Sequence, residues 1–276
     1  MLRTILVGLD GTVHGDSALK LAIRWSKRYD ALLVGLGCVD EPGIHGPEEI
    51  ISGEGYFSRL NSALLEETRT RVEATLSQAA LRCAEAGVAF KPLEDVGTPD
   101  TQILEEAQRF DLIMLGQQTH FRFGWENEPD VTLPKVLADT PRPVVVVPES
   151  AGEGDSVIVA YDGSLQAARA LYAFEASGLG QGREIQVLSV SDEKKTALRH
   201  ADRAIEFLKS HGMEANPSPV ESGGSPGDVL LEMIRLSDPG LIVMGAYGQP
   251  GLREFFLGST TSTLLKKGTI PMFLFH

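Results

Sequence analysis

Short, continuous apolar runs alternate along this chain with longer segments in which apolar positions recur every three to four residues. An apolar run bounded by turn residues predicts a strand buried on both faces, and the longer spacing predicts a helix with one buried stripe. In the first half the pattern predicts strands over 4–10, 31–39, 89–95, 111–116 and 143–147, and helices over 15–29, 57–86, 99–109 and 131–139. In the second half it predicts strands over 156–161, 184–191, 217–221, 241–246 and 271–275, and helices over 165–177, 194–211, 226–237 and 260–267. Thr98-Pro99-Asp100 and Ser225-Pro226 each place a hydroxyl before a proline at the first helical position, so a hydroxyl cap is expected at both. Alternation of strand and helix predicts an α/β fold, with parallel sheets covered on both faces.

The order of elements occurs twice. Thr4-Ile5-Leu6-Val7-Gly8-Leu9-Asp10-Gly11-Thr12 is matched by Ser156-Val157-Ile158-Val159-Ala160-Tyr161-Asp162-Gly163-Ser164. Asp111 to Gly116 is matched by Gly240 to Gly245, and each half closes on a strand led by proline, Pro143 or Pro271. One duplication at this period predicts two domains, 1–148 and 156–276, joined by the small and polar segment 148–155. Each is read as a doubly wound five-stranded parallel sheet, whose ligands belong beyond the carboxyl ends of the strands at the switch point.

The candidate chemistry is concentrated in the second half. The buried run Leu241-Ile242-Val243-Met244 leads into Gly245-Ala246-Tyr247-Gly248, then after nine residues into Gly258-Ser259-Thr260-Thr261 at the start of a helix. Glycines permit close approach of backbone to ligand, and a helix N-terminus offers unpaired N–H groups and partial positive charge. That combination suits an anion, most often a phosphate. Asp162 closes the first strand of this half, and Val190 lies at the end of the second. The same residues also read as helix caps, a tight turn and a core valine.

The spacing G-x2-G-x9-G-(S/T), set between strand and helix, resembles the ATP-binding signature of the universal stress protein family. The resemblance covers essentially the whole chain as a tandem pair. It implies two domains of the adenine nucleotide alpha hydrolase-like fold with sheet order 3-2-1-4-5, and ATP bound in the second. The implied site comprises Ala160, Tyr161, Asp162, Val190, Met244, Gly245, Gly248, Gly258, Ser259, Thr260 and Thr261, with Asp162 near the ribose or a Mg2+ on the phosphates. Val190 resembles the position whose backbone meets adenine. Arg253, inside the nine-residue loop, is a further candidate whose place the motif does not set. The family also implies dimerisation through the last strand. Two such strands in one chain lead to the expectation of an intramolecular pseudo-dimer through 143–147 and 271–275, with a homodimer through another surface left open.

The first-half loop departs from the pattern. Aligned on Pro143 and Pro271, Asp130 stands opposite Gly258, Val131 opposite Ser259, and Thr119 opposite Gly248. Glu126, Glu128 and Asp130 put three carboxylates where phosphate would approach, and Phe121, Phe123 and Trp125 make the loop aromatic. The nucleotide loop of domain 1–148 is therefore read as degenerate. Its aromatics either fill local core or form a surface for a protein partner. Segment 41–57, rich in Gly and Pro, reads as an excursion after the second strand with a lid as one alternative.

Charge and composition narrow the reading. Net charge is −13; residues 1–150 carry 14 basic and 23 acidic side chains, and residues 151–276 carry 11 and 15. An acidic surface without a basic stripe opposes nucleic acid and anionic membranes as partners. Neither a leader nor an apolar run of about 18 residues is seen, so a cytoplasmic protein without a membrane span is expected. Cys38 and Cys83 are read as reduced core thiols. The six histidines show no zinc spacing, and no phosphate-clamping lysine loop or nucleophile elbow is present, so no catalytic residue is assigned. The leading expectation is a nucleotide-dependent stress regulator. The alternatives are a nucleotide-free scaffold of the same fold, a slow ATPase, and an adenylyl-transferring enzyme, the last weakened by missing H-x-G-H and S-G-G-x-D-S signatures.

Overall fold

The computed structural model describes residues 1–41, 44, 55–121, 130–152, 154–246 and 258–276, with the backbone alone over 55–61. They form two compact units, Arg3–Pro141, and Met1–Leu2 with Arg142–His276.

The first unit contains β1 (Thr4–Gly8), α1 (Val13–Tyr29), β2 (Leu32–Val39), α2 (Gly55–Glu85), β3 (Phe90–Val96), α3 (Pro99–Ala107), β4 (Leu112–Gly116) and α4 (Thr132–Asp139). Its strands run β3-β2-β1-β4, all parallel. Every residue of β4 is buried, as an unbroken apolar run in a doubly covered sheet should be. β3 is mostly exposed or half-buried and contains Pro92, which an edge strand tolerates because one side needs no ladder donor. Thr12 caps α1 by accepting from the Gly15 N–H at 3.0 Å.

The second unit contains β5 (Val144–Val147), β6 (Val157–Ala160), α5 (Leu165–Ser177), β7 (Ile185–Ser191), α6 (Lys194–Ser210), β8 (Asn216–Glu221), α7 (Pro226–Ser237), β9 (Leu241–Gly245), α8 (Ser259–Lys267) and β10 (Met272–Phe275). Strands β8-β7-β6-β9-β10 give the order 3-2-1-4-5, parallel throughout. β8 carries Pro217 and Pro219 at its edge. β5 joins this unit by pairing antiparallel with β10, Val145 opposite Phe273. Phe273 is fully buried, edge-on to Phe174 at 6.0 Å between ring centroids.

The fold class and every predicted element within the described residues are present, with ends shifted by one or two residues. One local expectation is corrected: Thr98 and Ser225 occupy the cap positions before an N1 proline, yet neither hydroxyl accepts a capping hydrogen bond. Cys38 and Cys83 are both free and buried. Burial, reinforced by Asp40, Asp95 and Asp100, pushes the Cys38 thiol up to about 12, so it stays protonated. The described residues of segment 148–155 form no helix or strand. The segment is pinned where Arg183 donates to the Asp155 carbonyl at 2.8 Å.

Candidate functional site

Three neighbouring parallel strands bring the second-half candidates to one sheet edge. β6 lies between β9 and β7, with Val159 opposite Val243 on one side and Val187 on the other. Ala160, Tyr161 and Asp162 therefore leave β6 beside Met244 and Gly245 at the end of β9, and beside Val190 near the end of β7. The Tyr161 N–H donates to the Leu188 carbonyl at 2.9 Å, which extends the β6–β7 ladder to the site. Asp162 is exposed; one carboxylate oxygen accepts from the Ser164 N–H at 2.9 Å, and Ser164 caps α5 through the Ala167 N–H at 3.2 Å. The capping role foreseen for Asp162-Gly163-Ser164 is thus real, and it leaves the second carboxylate oxygen of Asp162 facing solvent. Val190 is half-buried and pairs with Val220.

The last helix starts at the same edge, because α8 must run back along parallel β9 and β10. Its cap position is Gly258, with no side-chain capping bond. Ser259 is exposed, Thr260 half-buried and Thr261 buried, and all three head the helix. Gly258 thus offers no side-chain acceptor of its own to the first N–H groups of α8, and a helix end of this kind can take an anion. Lys266 and Lys267 in its last turn complement the opposite pole. Gly248 and Arg253 lie outside the described residues.

Two candidates have structural reasons of their own. A Cβ on Gly245 would lie 2.7 Å from the Ala167 nitrogen and 2.7 Å from the Gln166 carbonyl carbon. Glycine is therefore required there for the strand end to pass the first turn of α5. Met244 is buried, so only its backbone is at the strand end.

Helix α6 supplies neighbours that sequence reading did not single out. Gly163 has φ +78, and its missing Cβ would lie 3.0 Å from the His200 ring. Among the described residues the buried Nδ1 of His200 has no hydrogen-bond partner, and neither does the fully buried Ser189 Oγ on β7. The Tyr161 hydroxyl is pushed upward by burial; the Arg203 charge opposes this and Asp162 adds to it. The basic run along α6 was the available signal, but nothing in the spacing tied that helix to the β6 turn. Among the described residues no group of three or more His, Cys, Asp or Glu side chains could hold a metal ion.

The first-half counterpart is built differently. Asp10, equivalent to Asp162, is buried and accepts from the Thr12 N–H at 3.0 Å, the Thr12 hydroxyl at 2.7 Å and the His120 N–H at 2.7 Å. Burial raises its carboxyl above the usual range despite these bonds. Gly15 is needed for this arrangement, since a Cβ there would meet the Asp10 Oδ1 at 2.4 Å. Phe121 is fully buried over Gly8, the core-filling outcome for that aromatic. Phe123, Trp125, Glu126, Glu128 and nearly all of excursion 41–57 lie outside the described residues.

Two α/β units in one chain, the second with strand order 3-2-1-4-5, define a tandem doubly wound α/β protein. Matches to the universal stress protein family cover residues 1–124 and 155–276, and the chain belongs to that family. It is 22% identical over 249 residues to universal stress protein Slr1230 of Synechocystis, covering 88% of this chain and 81% of that one. In structure it is similar to a universal stress protein from Archaeoglobus fulgidus, with TM-score 0.73, 21% identity, and coverage of 98% and 97% of the two chains. It is also similar to PA1789 of Pseudomonas aeruginosa, described as functionally unknown, with TM-score 0.58, 16% identity, and coverage of 99% and 92%. These two likenesses show the fold. Among the described residues no helix is long and apolar enough to cross a membrane.

Proposed function

We propose that this universal stress protein binds ATP in its second half and acts as a nucleotide-dependent regulator in the cytoplasm. The carrying observation is the pair of acceptor and donor groups at one sheet edge: the exposed Asp162 and the N-terminus of α8, whose cap residue Gly258 has no side chain. The residues fit a nucleoside triphosphate. Ser259, Thr260 and Thr261 offer backbone N–H groups and hydroxyls to phosphate oxygens. Val190 offers strand backbone to a base, and Asp162 offers a carboxylate to ribose hydroxyls or to a Mg2+ on the phosphates. Gly248 completes the reading from the motif, and Arg253 is a further candidate whose place the motif does not set.

Among the described residues none is positioned as a base or phosphate-clamping lysine, and the nucleotide is read as a signal that orders the glycine loop rather than as fuel. The test is a thermal melt of the pure protein with and without Mg-ATP. A ligand that binds the folded state at about 100 times its Kd adds about 2.7 kcal/mol, a shift of several degrees. No shift at millimolar Mg-ATP, with no heat in calorimetry, would remove ATP from the proposal.

A further inference from the structure

In the first half the loop between β4 and α4 is gripped by a carboxylate of its own. Asp130 accepts from the Phe121 N–H at 2.9 Å, the Thr132 N–H at 2.7 Å and the Thr119 hydroxyl at 3.2 Å. The donors come from both ends of the loop: the segment just after the fourth strand, and the first turn of the next helix. An anion seated in such a loop would bridge the same two sets of groups. Next to it, Asp10 takes the His120 N–H, so Thr119, His120 and Phe121 in succession each donate to an acidic side chain. The Phe121 ring is locked beneath them, with no exposure to solvent.

Among the described residues the second half lacks this arrangement. Gly258 stands in place of Asp130, α8 has no side-chain cap, and Asp162 is exposed where Asp10 is buried. We infer that Asp130 is a resident anion: its carboxylate occupies the anion position between the end of β4 and the start of α4 and ties those two ends together without a ligand. The contact is built into the chain, and it stands whether or not the second half binds ATP.

The simpler alternative is a helix cap. A cap explains the bond to Thr132, two residues on, but not those to Phe121 and Thr119, nine and eleven residues back. Serine caps helices about as well as aspartate but is shorter, uncharged and has one oxygen. The full chain is therefore compared as wild type, Asp130→Gly and Asp130→Ser, by amide hydrogen exchange in sodium chloride and in sodium acetate of equal ionic strength. Acetate restores the deleted carboxylate and methylene.

In chloride, the Phe121 amide of Asp130→Gly should exchange roughly tenfold or more faster, the scale of hydrogen bonds lost to a charged acceptor. Acetate should restore protection saturably, while wild type is indifferent. Asp130→Ser should remain fast at Phe121. Wild-type protection of Phe121 in Asp130→Ser would reduce Asp130 to a cap and overturn the inference. So would a glycine variant whose Phe121 stays protected in chloride, or whose response to acetate equals that of wild type. If the glycine variant does not fold, the serine variant decides alone by the same criterion.

Discussion

Replacing Gly258 with Asp copies the first half's residue into the second-half loop. The backbone there has φ −51 and ψ 147, a region open to any L residue, so the side chain enters without strain. The first half shows where its carboxylate would go: Asp130 takes the Thr132 N–H at 2.7 Å, and the equivalent donor in α8 is the Thr260 N–H. One helix donor is then lost to the phosphates, and a like charge is set beside them. A hydrogen bond to a charged group contributes about 1.5–3 kcal/mol. At about 1.4 kcal/mol per decade, ATP affinity should fall roughly 10- to 100-fold. The free protein should melt at the same temperature or slightly higher, because aspartate in place of glycine at a cap adds a few tenths of a kcal/mol. Calorimetry and a melt without ligand separate the two effects. An unchanged Kd in a variant with an unchanged melting temperature would refute the assignment of the α8 N-terminus to phosphate.

Other expectations follow from the contrast between the halves. Titration should give about one ATP per chain, because the first-half loop already has an acceptor on its donors; two equivalent sites would contradict this. Asp10 has a folded carboxyl raised above 3.8 by burial, so the folded state holds its proton more tightly than the unfolded state. Its contribution to stability is therefore greatest below about pH 4 and declines as pH rises through the folded value. Urea unfolding across pH 3–7 should show wild type losing stability relative to Asp10→Asn as pH rises, and a parallel pair of curves would contradict the assignment.

The apolar runs and their spacing were sufficient for the fold class, for nearly every element boundary and for the duplication. Burial on both sheet faces forces strands such as β4 and β9 to be continuously apolar, and that is written in consecutive residues. The position of Gly258 at a helix start was legible for the same local reason. What the chain order could not reveal is which polar groups find each other across long separations. Asp10 and Asp162 occupy matching places in matching motifs, yet one is buried with three hydrogen bonds and the other exposed with a carboxylate oxygen open to solvent. That difference depends on His120, 110 residues away in the chain, and on Phe121 filling the space beneath the loop. The same holds for Gly245, whose small size answers to the first turn of α5, and for His200, which reaches Gly163 only because α6 packs beside the β6 turn. Local pattern determines which backbone forms; partners for the polar groups are set by packing between distant segments, and in this protein that packing distinguishes the buried Asp10 from the exposed Asp162.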